Sequence, residues 1–424
     1  MVVRGLPSSA LVLFDSAGTA TIRSAPEPQE GQRYGFVNIV VVTGMIATYN
    51  LGGVVWDYGQ YLLGLEALGF DVYYLEDTGW EAYDPRVGDY GRDYSYGVEF
   101  TRSELALLSP SLATRWHVLD MEGQSHGMSR ADLIEVVHEA DVFLNVSGAA
   151  LVRQEYVPSR RKVLIDTDPG WNHFRNYRLW DLQEKPWYGT AGWRAHDWYF
   201  TYAERMGRAG CDIPAMGVDW KTTRPPVMLD RWQSEPPATT WTTVMTWDNF
   251  RQPIEHEGKI YGTKELEFAK VEALPSATAA RLEVATGGNR APVERWRSLG
   301  WSVVDSLSVS RDAQAYRRYI QQSRGEFSVA KNIYVATGSG WFSCRSACYL
   351  AAGRPVVVQD TGFSEILPTG LGLLAFRTFE EARQALESVE ADYETHQEAA
   401  RSLARDHLRA ETVIQHLLDQ IGVT

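Results

Sequence analysis

One stretch, Gly338–Gly362 (GSGWFSCRSACYLAAGRPVVVQDTG), restricts the fold more than any other part of the chain. Just before it, Asn332–Thr337 (NIYVAT) is β-branched and flanked by polar residues, as a short buried strand is. Ser343 is a suitable N-cap, and Cys344–Ala352 has the small-residue composition of a compact helix. Gly353 can close that helix in a left-handed C-cap, and Pro355 stops it from continuing. Val356–Gln359 then reads as a second buried strand, ending at Asp360-Thr361-Gly362. Strand, loop, helix and strand together make a parallel βαβ unit with a right-handed crossover.

The loop of this unit has a chemical consequence. A helix N-terminus offers unpaired N–H groups and a partial positive charge, so an approach through Gly338 and Gly340 makes an anion pocket. Ser343, Arg345 and Ser346 fall in the first turn, where they can add to the backbone donors. A diphosphate suits such a pocket. The loop has neither Walker spacing nor the dinucleotide fingerprint, so an ordinary strand-to-helix turn accounts for the local pattern equally well.

A chain of 424 residues with 44% hydrophobic content can bury two cores, and domains run to roughly 150–200 residues each. The net charge of −13 argues against a nucleic-acid or anionic-membrane surface while allowing a local basic pocket. The 15 tryptophans and 21 tyrosines suit a cleft for sugars or aromatic ligands as well as packing. Cys211, Cys344 and Cys348 are too few for a disulfide framework, and they read as reduced packing residues. No apolar run reaches membrane-spanning length, and Leu6–Phe14 is a poor signal peptide, so a cytoplasmic protein is expected.

In chain order, residues 1–35 read as a flexible extension. A first domain, 36–220, opens with the strand Phe36–Thr43, the Gly52-Gly53 pair, a helix at Val54–Leu68 and the strand Asp71–Leu75. Tyr83–Leu112 is polar and aromatic, an insertion or lid. Ser129–His138 is an amphipathic helix; Ala140–Val146, Arg161–Ile165 and Asp197–Thr201 are further strands. Residues 221–240 hold four prolines and no apolar period, marking a linker. A second domain, 241–395, has strands at Thr242–Thr246, Arg281–Ala285 and Ser302–Val304, then a helix at Arg311–Ser323 and the central βαβ unit. Residues 396–424 form C-terminal helices.

Two short blocks carry a family resemblance. Ile213-Pro214, with Gly217-Val218-Asp219, resembles a segment that closes the first domain of bacterial group-1 glycosyltransferases. Ala351-Ala352-Gly353-Arg354-Pro355-Val356-Val357, followed by Asp360-Thr361-Gly362-Phe363-Ser364-Glu365, is similar to their donor-binding unit. The resemblance implies an α/β fold of the GT-B kind, two Rossmann-like βαβ domains facing each other across a cleft, with a C-terminal helical tail. It implies sugar transfer from a nucleoside-diphosphate sugar to a hydroxyl of a small-molecule or glycan acceptor, with no metal or other cofactor. One departure is clear: the retaining members carry paired glutamates where this chain has Gly340 and Cys348.

Further residues follow from that resemblance and from the loops. Lys264 stands where the family tends to place a cation for the donor diphosphate, and a solvated surface lysine reads equally well. Gly52 and Gly53 would let the backbone approach the phosphates or the sugar, or else serve a tight turn. Asp360 and Glu365 suit sugar hydroxyls or capping; Thr361 and Gly362 belong to the same loop, and Gly287 and Gly288 could shape a base pocket. Asp168, His173 and Asp57, in that order, are the candidate general bases for the acceptor hydroxyl, and Trp171 offers it a stacking face. A nucleotide-sugar 2-epimerase and a non-catalytic sugar-nucleotide binding protein are the alternatives.

Overall fold

Runs of buried β-branched residues alternate with helices along most of the chain, and in the computed structural model they assemble into two mainly parallel sheets. The structure describes residues 10–14, 20–24, 38–181, 192–233, 235–247, 253–288 and 290–423. Ala10–Phe14 and Ala20–Ser24 form an antiparallel hairpin belonging to a separate N-terminal unit, and residues 38–424 form the second unit. The remainder of the expected 1–35 extension lies outside the described residues.

The first sheet contains β1 (Ile39–Thr43), β2 (Asp71–Glu76), β3 (Trp116–Leu119), β4 (Ser125–Gly127), β5 (Val142–Val146), β6 (Lys162–Asp166), β7 (Trp198–Thr201) and β8 (Trp220–Thr222). Their order is β8-β7-β6-β5-β1-β2-β3-β4, all parallel apart from the β3–β4 edge pair. β1, β5 and β6 are buried along their whole length, as a sheet covered on both faces requires. The second sheet contains β9 (Thr240–Thr246), β10 (Arg281–Gly287), β11 (Ser302–Asp305), β12 (Glu326–Ser328), β13 (Val356–Gln359) and β14 (Leu373–Phe376). Its order, β11-β10-β9-β12-β13-β14, is wholly parallel and reverses direction between β9 and β12. That reversal opens a crevice at the carboxyl ends of the strands, where open α/β sheets bind ligands. The architecture matches the two Rossmann-like lobes expected.

The main helices are α1 (Gly52–Ala67), α2 (Ser95–Leu108), α3 (Arg130–Glu139), α4 (Lys264–Phe268), α5 (Ala313–Gln322), α6 (Asn332–Ala336), α7 (Cys344–Ala351), α8 (Phe379–Ala391), α9 (Tyr393–Leu403) and α10 (Ala410–Gln420). The boundaries of α7 and β13 follow the reading closely, and Gly353 takes the left-handed conformation (φ +66°) that ends α7.

Several elements depart from expectation. Asn332–Thr337 is the helix α6 and its C-cap, not a strand, because Ile333 and Tyr334 pack into one apolar cluster with Phe174, Ile254 and Tyr261. That tertiary contact outweighs the β-branched preference of the segment. The strand lies earlier, at β12, and is only three residues long. Tyr83–Leu112 is no simple insertion: it holds the hairpin Ala82–Asp84/Asp89–Gly91 and α2, whose Phe100, Leu105 and Leu108 are buried. Strands β3 and β14 were not anticipated.

The segment expected as a linker is packed rather than free. Val227 pairs with the backbone of Leu408 and Ala410, Met228 N–H donates to Gln60 Oε1 at 2.8 Å, and Trp232 is buried. The C-terminal helices return to the first lobe, where Ile414 and Ala410 of α10 lie against Gly64 of α1. No helix among the described residues is long and apolar enough to cross a membrane.

Candidate functional site

At the carboxyl ends of β12 and β13, the N-terminus of α7 borders a small, partly open pocket. Ser328, Ser343, Arg345, Ser346 and Thr361 are in its lining. Ser343 occupies the N-cap position, and its side chain caps nothing, so the orphan N–H groups of the first turn stay available. Ser346 and Thr361 are buried, and Thr361 Oγ1 donates to Trp341 O at 2.6 Å.

Arg345 does not reach out from this turn. Its guanidinium lies on the sheet edge, 2.6 Å from the buried carboxylate of Glu326, and donates to Val244 O at 2.7 Å and Ser328 Oγ at 2.6 Å. Burial works against its charge, and Glu326 more than offsets this. The other Glu326 oxygen, Oε2, has no hydrogen-bond partner.

Lys264, the first residue of α4, is in a different state. Burial pushes its ammonium well below the usual lysine range, and the positive charges of Arg345 and Lys331 push the same way against Glu326. Among the described residues its amine has no hydrogen-bond or ion-pair partner. A desolvated, unpartnered cation beside two others is unfavourable unless an anion joins it.

The first lobe delivers its residues to the same place. Beyond β6, Asp168 accepts from Lys331 Nζ at 2.5 Å and from the Tyr334 hydroxyl, both on the second lobe. Burial raises its carboxyl, but Lys331 and Tyr334 prevail and hold it below the usual carboxylate range. Trp341 Nε1 donates to Thr167 O at 3.0 Å, and Thr167 meets Ser147 Oγ at 2.8 Å. Ser147 has φ +61°, an uncommon conformation at the end of β5.

Asp57 of α1 is exposed to the space between the lobes. The protein packed around that space pushes its carboxyl up to about 6; the Cys344 thiol, which hydrogen-bonds it, and Arg345 act the other way, and Asp168 adds to the rise. Burial and Asp57 together push the Cys344 thiol well up, so it stays protonated and donates. The lowered thiol pKa that a helix start can give is overridden here.

His173, the second candidate base, is fully buried inside the first lobe. Its ring packs against Tyr177 and Trp220, Gly170 N–H donates to its Nδ1 at 3.3 Å, and burial pushes it down to about 3. It has no surface on which to meet an acceptor. Trp171 is half-buried, and the Arg175 guanidinium sits 5.1 Å over its ring, covering one of the faces expected for stacking.

The glycines do other work than the sequence suggested. A Cβ at Gly52 would fall 2.0 Å from Asp312 O, and one at Gly53 would fall 3.2 Å from the Tyr316 ring, so this pair lets α1 dock on α5. Gly340 (φ +76°) and Gly362 (φ +100°) lie under Arg205 of the first lobe; a Cβ would come within 2.8 Å of Arg205 Cγ and 2.7 Å of its Cδ respectively. They accommodate the Arg205 side chain. Arg205 continues to Glu365 at 2.9 Å and Gly338 O at 2.9 Å, so Glu365 bonds a neighbour where a sugar hydroxyl was expected. Asp360 accepts from Gly362 N, Ser364 N and Ser364 Oγ and pairs with Arg377, the capping role. Gly287 ends β10 against Ser306, and Gly288 (φ +101°) follows it, both at the carboxyl edge of the sheet.

Three residues escaped the sequence reading. Lys331 and Tyr334 would have been legible as ligands at a strand end had β12 been placed correctly. Arg205, in a short loop with no periodic pattern, gave no signal.

No protein-family model matches the chain, and no curated protein sequence does. Solved structures are similar in layout. AviGT4, a glycosyltransferase involved in avilamycin A biosynthesis, is 14% identical with a TM-score of 0.49, over 90% of this chain and 96% of that one. Alr3699/HepE of Anabaena in complex with UDP-glucose is 10% identical with a TM-score of 0.48, over 90% and 99%. A glycosyltransferase from Rickettsia africae ESF-5 is 10% identical with a TM-score of 0.48, over 91% and 98%.

Proposed function

We propose that this chain transfers a sugar from a nucleoside-diphosphate donor to an acceptor hydroxyl between its two lobes. The observation that carries the reading is Lys264, a half-buried amine with no hydrogen-bond or ion-pair partner among the described residues. It lies near Arg345, Lys331 and the uncapped N-terminus of α7, where burial and those cations disfavour its charged form. A diphosphate placed there supplies the missing negative charge and accepts from the free N–H groups.

In the reaction, the acceptor oxygen bonds to the anomeric carbon while the bond from that carbon to the donor phosphate breaks. Charge develops on the departing diphosphate, where Lys264 and the helix terminus stabilise it. In this reading they do so without a metal ion. The acceptor proton needs a base, and Asp57 fits better than Asp168. Its carboxyl titrates near neutrality and is accessible between the lobes, whereas Lys331 and Tyr334 keep Asp168 weakly basic and hold it in a bridge. Asp168 positions the two lobes in this scheme.

The test is a panel of UDP-, GDP- and dTDP-sugars with titration calorimetry and product analysis. Diphosphate binding lost in Lys264→Met, with nucleoside diphosphate released on adding acceptor, supports transfer. An isomerised donor without acceptor identifies an epimerase, and binding without turnover a binding protein. Diphosphate affinity unchanged in Lys264→Met would refute the assignment of the site.

A further inference from the structure

We infer that the acceptor is a neutral saccharide, held on an aromatic wall made by Tyr49, Trp80, Tyr83 and Tyr90; the inference rests on the transfer reading above. The wall joins the loop after β1 to the hairpin Ala82–Asp84/Asp89–Gly91. Tyr49 meets Tyr90 at 6.0 Å and Trp80 at 6.4 Å, each at 78°, and Tyr83 meets Tyr90 at 5.3 Å. Edge-on rings of this kind do not cover one another's faces fully, and Tyr90 is 50% exposed.

The hydroxyls are the informative part. Those of Tyr49, Tyr83 and Tyr90 make no hydrogen bond among the described residues. Neighbouring phenols are satisfied: Tyr74 donates to Glu76 at 2.7 Å, and Tyr94 donates to Trp80 O. Three unpartnered hydroxyls around half-buried to exposed rings suit a ligand with an apolar face and several hydroxyls of its own. A pyranose has both: its C–H face packs on a ring while its hydroxyls pair with phenols. A flat aromatic acceptor would fill the faces and leave most of the hydroxyls unpaired.

The wall is held rigidly. Burial, then Tyr90, Tyr94 and Asp168, push the Tyr49 hydroxyl up to about 12, so Tyr49 faces the side of the lobe that carries Asp168. At its far side Tyr83 feels Asp305, at the end of β11 on the second lobe. Beneath it, the buried carboxylate of Glu76 accepts from Ala47 N at 2.8 Å and Thr48 N at 2.7 Å, fixing the loop. Tyr83 N–H donates to Thr48 O at 2.9 Å and Asn50 Nδ2 to Tyr83 O at 2.5 Å, tying the hairpin to that loop. A platform ordered before binding loses little entropy when occupied. Near it, Arg86 is paired with Asp84 and Arg92 with Glu122, so these cations are already matched by carboxylates.

The test uses the full chain with methyl glucoside, galactoside and mannoside, the corresponding disaccharides, and 4-methylumbelliferone as a flat phenol. Binding is read by tryptophan fluorescence without donor, and turnover by released nucleoside diphosphate. At least one saccharide is expected to bind, with its Kd and its acceptor KM raised tenfold or more in Tyr90→Ala and severalfold in Tyr49→Phe. Diphosphate affinity should be unchanged in both variants. Saccharide binding unaffected by either substitution overturns the inference, as does binding of the flat phenol alone. If saccharide binds at the wall while no nucleotide sugar binds at Lys264, the transfer reading fails and the wall stands as a saccharide site.

Discussion

Replacing Gly362 with alanine should break one of the contacts between the lobes, and the structure lets the cost be divided. At φ +100° an L-residue is strained by about 1–2 kcal/mol. The new Cβ would also lie 2.7 Å from Arg205 Cδ and 3.1 Å from its Nη1, so the side chain must leave. Leaving breaks the bonds across the lobes to Glu365 and Gly338 O, and also the exposed bond to Ala209 O, which water replaces at little net cost. Glu365 is half-exposed, so that ion pair counts for about 0.5–1 kcal/mol, and the charge-assisted bond to the carbonyl adds about 1 kcal/mol. The total is about 3 kcal/mol. With an unfolding entropy near 2.1 cal/mol/K per residue, a chain of this size should lose about 3–4 °C in Tm. In an Arg205→Ala background the same substitution should cost only the backbone strain, so scanning calorimetry of the four proteins should give a coupling of about 1–2 kcal/mol. Equal costs of Gly362→Ala in both backgrounds would show that the glycine does not exist for Arg205.

Four other outcomes are expected. Asp57→Asn should lower turnover by about 10²–10⁴ with nucleotide affinity retained, and the wild-type kcat/KM should rise as pH passes about 6, a limb the variant lacks. An anion favours the charged form of Lys264, so diphosphate binding should take up a proton and weaken as pH rises; calorimetry in buffers of different ionisation heat reads this directly. Turnover should survive a chelator such as EDTA, and loss of activity restored by a divalent cation would refute the metal-free reading. Asp166 is buried and pushed up to about 7, so the fold binds its proton more tightly than the unfolded chain and loses stability as pH rises toward 7; Asp166→Asn should flatten that loss in thermal melts.

Much of the architecture could be read because strands buried on both faces are unbroken apolar runs: β1, β5, β6 and β13 were found within a few residues of their ends. What failed were elements defined by distant partners. Asn332–Thr337 has strand composition and is helical because Phe174 and Tyr261 receive Ile333 and Tyr334. β12 is three residues long, and its Glu326 carries a buried charge that only Arg345 explains. At the candidate site, the sequence named Ser343, Ser346 and Thr361, which line the pocket, together with Lys264 and Asp57. It could not show that Asp168 is bridged to Lys331 and Tyr334, 163 and 166 positions away, the contact on which the proposed preference for Asp57 rests. The glycines were misread for a related reason: a missing Cβ records that something comes close, and the sequence does not say whether that is a phosphate or Arg205.

The return of the last helix to the first lobe has a consequence for how the protein is made. Gly64 on α1 is shaped to receive Ile414 and Ala410, and Arg161 beside β6 donates to Ile421 O at 3.2 Å. A ribosome synthesises the first lobe long before those residues exist. Until they arrive, one face of α1 is uncovered, and Val227 lacks the backbone partners that Leu408 and Ala410 supply. Completion therefore waits for contacts far apart in sequence, a slow step that leaves apolar surface open meanwhile. A nascent chain stalled before residue 410 should be cut by protease within α1 and bind chaperones, whereas a chain that includes residues 410–423 has that face covered.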